Sequence, residues 1–371
     1  MFSAPATAAP AKTLRLVSPT KGTHDYDARI AVIGPRLYLA TIGTNAWGDY
    51  RILVHRYDGH GWARLPGMLP TAYDDGLELG VLSRDGEDVP CVGDSPREGA
   101  RIRCLTDGSW KTISTPELKG FAVTGLRADG SDLTASFARW NEDGTTTVRV
   151  GVVDGASVAL TDPPLQRPGA VLANLGETAG GDQGTIDVGL QQYSDPGSGR
   201  RSVATMTGGE WTISPALPVV HGAPPISGPV RSGDALYLTT PSTRPWPRSP
   251  IADWPLSTFR LDGGAWSRAT GRILTHGRGA NQGGTFAIGD RVWTVWSREY
   301  LTRRKAFRAS MFAVRFSPDG TRIDRRFTVA RRYVPAAPIM QATSYRGRPA
   351  FLYGTSNRRG HWRAVVEIAP R

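Results

Sequence analysis

The chain of 371 residues is poor in several things that would commit it to a familiar class. It holds two cysteines, five lysines and five methionines. No run approaches the roughly 20 apolar residues that an α-helix needs to cross a bilayer, which excludes a helical integral membrane protein. Heptads, collagen triplets and a Walker-type phosphate loop are absent. No helix-turn-helix, zinc-ligand spacing or RNA-recognition aromatic box accompanies the basic charge, so nucleic acid is set aside as a partner. What abounds is Gly (44), Pro (28) and Trp (11), against 39% hydrophobic and 21% charged residues. That much Gly and Pro disfavours a helical bundle, and that much Trp disfavours disorder.

Lys plus Arg outnumber Asp plus Glu by 45 to 33, a net charge of +12. An Arg-heavy, Ala/Gly/Pro-rich composition is also what a high-GC genome produces, so the charge admits two readings, mutational bias and a preference for anionic partners. The basic residues crowd late, from Arg298 through Arg303, Arg304, Lys305, Arg308, Arg315, Arg322, Arg325 and Arg326 to Arg331 and Arg332. Residues 1–10 (MFSAPATAAP) have neither a basic n-region nor an apolar h-region. They read as a flexible segment of the kind that follows a removed secretory signal. Cys91 and Cys104 fall in strand-like segments flanking the turn-rich Asp94–Gly99, so a hairpin turning between Arg97 and Glu98 sets them face to face. A disulfide is expected, two buried free thiols being the alternative. With the N-terminal composition it predicts a secreted, extracellular protein.

Periodicity is the strongest signal. A turn dipeptide, usually followed by Trp, recurs: Asp58-Gly59 with Trp62, Asp107-Gly108 with Trp110, Asp154-Gly155, Gly208-Gly209 with Trp211, Gly263-Gly264 with Trp266, and Asp319-Gly320. Successive steps are 49, 47, 54, 55 and 56 residues. Asp-Gly and Gly-Gly between alternating apolar runs mark tight hairpins. A period near 50 built of short strands marks a β-propeller. The first period divides into Ala28–Ile33, Arg36–Ile42, Arg51–Tyr57 and Trp62–Leu65, and later ones follow suit.

The fold class predicted is all-β, a seven-bladed β-propeller of four-stranded blades forming one domain over 11–371. Its blades are expected at about 22–67, 68–118, 119–165, 166–217, 218–274, 275–334 and 335–371. The last is one strand short, and the unassigned Thr13–Val17 is expected to complete it, closing the ring. The recurrent Trp residues are read as packing between adjacent blades. The turn pattern resembles the Asp-box (BNR) repeats of sialidase-like propellers, most clearly in blades 1, 2, 4 and 5. Thr106-Asp107-Gly108-Ser109-Trp110 is a compressed form of that motif, and Thr207-Gly208-Gly209-Glu210-Trp211 lacks its Asp. The resemblance implies a propeller fold; such turns are scaffold in the family and carry no activity.

In a propeller, the loops leading into each innermost strand share one face with the loops joining second and third strands. Candidate functional residues concentrate there. The leading loops contribute His24, Asp25, Asp27, Asp74, Asp75, His221 and His276. The joining loops contribute Trp47, Trp140, Trp246, Trp254, Arg298 and Tyr300. Carboxylates among them suit glycoside hydrolysis, which needs two carboxyl groups about 5–10 Å apart. Converging histidines with Tyr300 and arginines suit a divalent metal site or the proton abstraction of a polysaccharide lyase. Aromatic rings beside Arg suit sugar or polyanion binding without catalysis.

Asp27-Ala28-Arg29-Ile30 resembles the segment bearing the first carboxylate-binding arginine of sialidases, with Ala31 where the family has Pro. The two further arginines of that family have no identifiable counterpart. The blades differ strongly outside the turns, which favours one central site over a site per blade. The expectation is a monomer acting on an acidic poly- or oligosaccharide at the channel mouth. His24, Asp25, Asp27, Asp75, His276 and Tyr300 are the candidate catalytic groups. Arg29, Trp47, Trp140, Trp246, Trp254 and Arg298 are the candidate binding groups. No cofactor is required beyond the optional divalent metal. The alternative is a glycan- or protein-binding propeller without catalysis.

Overall fold

A computed structural model describes residues 13–20, 24–44, 49–72, 76–113, 116–129, 131–154, 157–163, 165, 170–180, 184–195, 198–220, 227–241, 256–269, 282–302, 306–357 and 360–370. The candidates Trp47, Asp74, Asp75, His221, Trp246, Trp254 and His276 lie outside them.

The chain opens with β1 (Leu14–Val17) and then forms seven blades. Blade 1 is β2 (Asp25–Ile33), β3 (Arg36–Thr44), β4 (Tyr50–Tyr57) and β5 (Trp62–Arg64), with the short β6 (Leu69–Pro70) also pairing on β4. Blade 2 is β7 (Leu77–Arg84), β8 (Glu87–Asp94), β9 (Arg101–Thr106) and β10 (Ser109–Ile113). Blade 3 is β11 (Ala122–Asp129), β12 (Asp132–Trp140), β13 (Thr146–Asp154) and β14 (Ser157–Thr161). Blade 4 begins with β15 (Ala170–Leu175); the two-residue β16 (Glu177–Thr178) follows in sequence but belongs to the next sheet. Blade 4 continues with β17 (Thr185–Asp195), β18 (Ser198–Thr207) and β19 (Glu210–Ile213), and β20 (Leu217–Val220) pairs on β18. Blade 5 is β21 (Val230–Ser232), β22 (Ala235–Pro241), β23 (Leu256–Asp262) and β24 (Ala265–Arg268). Blade 6 is β25 (Gln282–Ile288), β26 (Arg291–Leu301), β27 (Phe307–Phe316) and β28 (Ile323–Tyr333). Blade 7 is β29 (Pro335–Tyr345), β30 (Arg348–Ser356) and β31 (Trp362–Ile368). Together they form a seven-bladed β-propeller. Its last sheet has the order β1-β31-β30-β29, in which Leu14 lies opposite Ile368 and Val17 opposite Val365.

Three of the recurrent dipeptides, Gly208-Gly209 among them, sit where the twist of two strands demands a left-handed turn. Asp107 and Gly108 both have positive φ (+53° and +72°) between the paired Thr106 and Ser109. Gly263 and Gly264 (+57° and +83°) do the same between Asp262 and Ala265. This is the type I′ geometry whose twist matches that of the flanking strands. Each following Trp then reaches back to the preceding blade. The indole N–H of Trp110 donates to Pro66 O (2.7 Å), that of Trp211 to Thr161 Oγ1 (3.0 Å), and that of Trp266 to Pro215 O (2.6 Å). The turn places the ring, and the ring ties neighbouring blades together.

Apolar packing follows the seams. Six buried clusters each straddle two adjacent blades, at seams 7/1, 1/2, 2/3, 3/4, 5/6 and 6/7. Unbroken burial along the second strands explains this, since β3, β12 and β30 are buried on both faces between neighbouring sheets. Seam 4/5 is held differently among the described residues. Asp187 of β17 takes a two-pronged grip from Arg231 of β21, at 2.7 Å from Nε and 2.6 Å from Nη2. Arg201 of β18 donates to Thr239 O and Ser227 O, both at 2.6 Å.

Cys91 and Cys104 are direct register partners on β8 and β9 and are joined, with an S–S bond of 2.09 Å and Cα atoms 4.1 Å apart. A loop closed over 13 residues is worth about 3 kcal/mol in denatured-state entropy. Reduction, or the Cys91→Ala/Cys104→Ala pair, is expected to lower unfolding stability by about that much. Guanidinium titration with and without reductant measures it, and coincident curves would refute the contribution.

Candidate functional site

The innermost strands β2, β7, β11, β15, β21, β25 and β29 all run from the long-loop face toward the face of tight hairpin turns. Their free edges therefore line the channel, save that of β21, which pairs with β16.

On the wall between blades 1 and 2, Arg29 is the centre of a three-residue ion pair. Its Nη1 donates to Asp27 Oδ1 at 2.6 Å, and its Nε and Nη2 to Glu78 Oε1 at 3.3 and 3.2 Å. All three side chains are only a fifth to a quarter exposed. Burial works against the charge of Arg29, but the two carboxylates beside it raise its pKa overall. Burial pushes the Glu78 carboxyl up, with the Arg29 charge and hydrogen bond opposing. Gln341 of β29 accepts from Ile30 N at 2.7 Å, so blade 7 also bonds to this strand.

Above the seam between blades 7 and 1 lies an aromatic cluster. The ring of His24 is 5.6 Å from Tyr26, 5.3 Å from His361 and 6.0 Å from Trp362. Tyr26 lies 5.4 Å from both Tyr50 and Trp362. The backbone N–H of Trp362 donates to His24 Nδ1 at 3.3 Å. Three elements meet here at the same end: the start of β2, the start of β4 and the start of β31.

Asp25 has a different setting. It is fully buried and accepts from Thr20 Oγ1 at 2.7 Å, from Ala364 N at 2.9 Å, and from Ser18 Oγ. Burial raises its pKa against those three bonds. The carboxylate thus links the N-terminal segment, β2 and β31, while Asp27, two residues on, pairs with Arg29 and is a quarter exposed.

Of the other candidates, Trp140 ends β12 on blade 3 and is 59% exposed. Arg298 and Tyr300 lie on the last part of β26, opposite Ser310 and Arg308, and Arg298 Nε is buried with no partner among the described residues. The structure therefore brings together His24, Asp27 and Arg29 in one region, with Arg298 and Tyr300 on blade 6 and Trp140 on blade 3. Among the described residues no group of three or more His, Cys, Asp or Glu side chains is placed to hold a metal ion.

Glu78, Glu177, His361 and Trp362 were not singled out from the sequence, whereas Tyr26 and Tyr50 fall in its leading and joining loops. A signal existed for Glu78, a charged residue in the apolar alternation Leu77-Glu78-Leu79 of an innermost strand. None existed for Glu177. After β15 the chain leaves blade 4, and β16 pairs parallel to β21 on its channel side. Gly180 N then reaches Gly289 O at 3.0 Å in blade 6. Arg127 of blade 3 grips both ends of this excursion, donating to Gly176 O (3.1 Å) and Thr185 O (3.2 Å). Glu177 Oε2 accepts from Ala287 N at 2.6 Å.

Burial pushes the Glu177 carboxyl up to about 7, despite the Ala287 bond and the Arg127 charge. A raised folded-state pKa means that folding takes up a proton. The stabilisation is full below the ordinary value of 4.5 and is lost as pH rises to about 7. Glu177→Gln is expected to remove a pH-dependent loss on the order of 3 kcal/mol across that window. His55, whose burial first and Arg64 second lower its pKa to about 4, acts in the opposite sense, its contribution fading as pH falls from 6.5 toward 4. The difference between wild type and variant in urea titrations at pH 4.5 and 7.5 isolates Glu177; a pH-independent difference would refute the assignment.

No protein family matches the sequence, and no curated protein is similar to it. Solved structures with similar folds exist. The β-propeller domain of the Trilobed protease from Pyrococcus furiosus superposes with a TM-score of 0.52 at 12% identity, covering 93% of this chain and 95% of that one. A Trypanosoma rangeli sialidase in complex with the inhibitor DANA gives 0.48 at 10%, over 97% of this chain and 60% of the sialidase. The fucose-specific lectin from Aleuria aurantia gives 0.46 at 12%, over 81% and 97%. At such identities the protease-domain likeness shows a shared propeller fold and says nothing of a shared activity.

Proposed function

We propose that the channel mouth between blades 7, 1 and 2 is a carbohydrate-binding site. The observation that carries this reading is the cluster of His24, Tyr26, Tyr50, His361 and Trp362, five rings gathered where three strands begin, beside the ion-paired Asp27, Arg29 and Glu78. Flat rings stack on the apolar faces of sugars, while carboxylates and guanidinium take hydroxyls. The net charge of +12 favours an acidic sugar polymer. The disulfide fits work outside the reducing cytosol, as an exported protein.

A second reading, glycoside hydrolysis, is favoured by one observation. Asp27 and Glu78 share a guanidinium, so their bonded oxygens lie no more than about 8 Å apart, within the span that glycosidases use. Glu78, its pKa raised, is the candidate acid and Asp27 the candidate base. Against it, Arg29 neutralises the pair. Binding without turnover therefore ranks first.

The test is calorimetric titration with a panel of neutral and acidic oligosaccharides, alongside assays for new reducing ends and for unsaturated-uronate absorbance. At least one sugar is expected to bind, with Trp362→Ala weakening it tenfold or more. Sugars that ignore Trp362→Ala would displace the site from this cluster, and new reducing ends lost in Glu78→Gln would promote the hydrolase reading.

A further inference from the structure

The rim of a propeller is a ring of outermost strands, each leaving one row of main-chain N–H and C=O groups without a ladder partner. Six of the seven are short: β1, β19 and β24 have four residues, β5 three, β10 and β14 five. Shortness is itself a defence against pairing with foreign strands. The outermost strand of blade 6 breaks this rule. β28 has 11 residues, and nothing among the described residues pairs with its outer side.

The same strand concentrates the charge. Its sequence IDRRFTVARRY carries four arginines, whereas each of the other six outer strands has at most one basic residue. Phe327 and Val329 pack on the core, which turns Arg326 and Thr328 outward, and Arg331 and Arg332 are exposed beyond them. The one acid on the strand, Asp324, is taken by Arg315 of β27 at 2.8 Å. Arg325 lies over the Phe327 ring at 4.4 Å. Arg326, Arg331 and Arg332 have no side-chain ion pair or hydrogen bond among the described residues. Between flanking register shifts, the β27–β28 ladder is regular from Arg325 to Thr328.

We propose that β28 is a docking edge for an extended acidic segment of a partner protein, which adds to blade 6 as a fifth strand. Main-chain pairing along Arg325–Thr328 supplies the affinity. Acidic side chains meeting Arg326, Arg331 and Arg332 supply the selectivity. An anionic polysaccharide would use the guanidinium groups and leave the open edge unsatisfied. A peptide strand uses both features, which coincide on this one strand of the rim.

Two fluorescent dodecapeptides test this on the full-length protein: one alternating Glu and Thr, the other alternating Glu and Pro. The second has the same charge, but at every other position it lacks the amide donor and its φ is held near −65°, away from that of a paired strand. The Glu-Thr peptide is expected to bind at least tenfold more tightly than its Pro counterpart. Binding should weaken at least tenfold in Arg326→Ser/Arg331→Ser, and fall with salt. Hydrogen exchange on the wild-type protein needs no variant and should show slowed amides within 325–328 when the Glu-Thr peptide is bound. Equal binding of the two peptides, no binding, or no change in exchange overturns the proposal. If, besides, sulfated dextran binds and the double variant loses it, β28 is a polyanion surface instead.

Discussion

Deletion of residues 1–20 is expected to abolish cooperative folding of the ring. The deletion removes β1, whose four residues pair along β31 and supply the fourth strand of blade 7. It exposes the outer side of β31, a row of main-chain groups that then has no partner. It also removes Leu16, buried against the cluster at seam 7/1, worth about 2 kcal/mol in apolar burial. Most consequentially, it strips Asp25 of the hydroxyls of Ser18 and Thr20, leaving a fully buried carboxylate with the single Ala364 amide. A buried charge that loses donors costs about 1–3 kcal/mol per missing bond. The sum reaches the whole stability of an ordinary domain, about 5–15 kcal/mol. Thermal melting followed by circular dichroism, with size exclusion for aggregation, gives the answer. A truncated chain that stays monomeric and melts within a few degrees of the full one would show that β1 merely decorates blade 7. Asp25→Asn separates the two contributions, since it keeps the strand and weakens only the carboxylate.

Asp187→Ala is the second large effect, with an expected cost of about 3–5 kcal/mol. Asp187 and Arg231 are only 1% and 11% exposed, and each of the two Asp187 oxygens takes a guanidinium nitrogen. Thr205 Oγ1 completes the set at 2.6 Å. Removing the acid leaves Arg231 buried and uncompensated. The seam it sits in is the one where no apolar cluster bridges the two blades among the described residues, which leaves the Arg201 bonds to Thr239 O and Ser227 O to carry it. The same physics predicts that Asp187→Leu/Arg231→Met, which removes both charges, comes close to wild type, because the pair's desolvation cost disappears with it. Urea midpoints for the three proteins decide this. A single variant within about 1 kcal/mol of wild type would mean that the ion pair is dispensable, and a double variant worse than the single would mean that seam 4/5 depends on charge as such.

The rim strand of blade 6 shows how far reading along the chain goes. The late crowd of arginines was visible at once, but not that four of them share an edge strand of unusual length. Strand length and edge position are properties of the sheet, since the same eleven residues in a central strand would have both sides paired. The mouth is similar. His24 and Asp27 were legible as residues of a leading loop, because loops at strand starts must face the mouth. Their partners were not: Trp362 and His361 stand more than 330 residues away and meet His24 only because blade 7 closes against blade 1. Asp25 and Asp27 are indistinguishable in sequence. A register shift lies between them on β2, and one is fully buried while the other is part-exposed beside Arg29.

The information written along the chain is local and repetitive. Paired turn residues force type I′ hairpins, near-continuous apolar runs make second strands buried on both faces, and a period near 50 stacks them into seven blades. Each of these follows from the covalent chain and its nearest neighbours. The tertiary structure alone decided which polar groups share a seam, that Glu177 crosses to bond blade 6, and that Arg29 stands between two carboxylates. Arg29 and Glu78 stand 49 positions apart and Glu177 and Ala287 110, and the energies of such contacts depend on burial that only the closed ring creates.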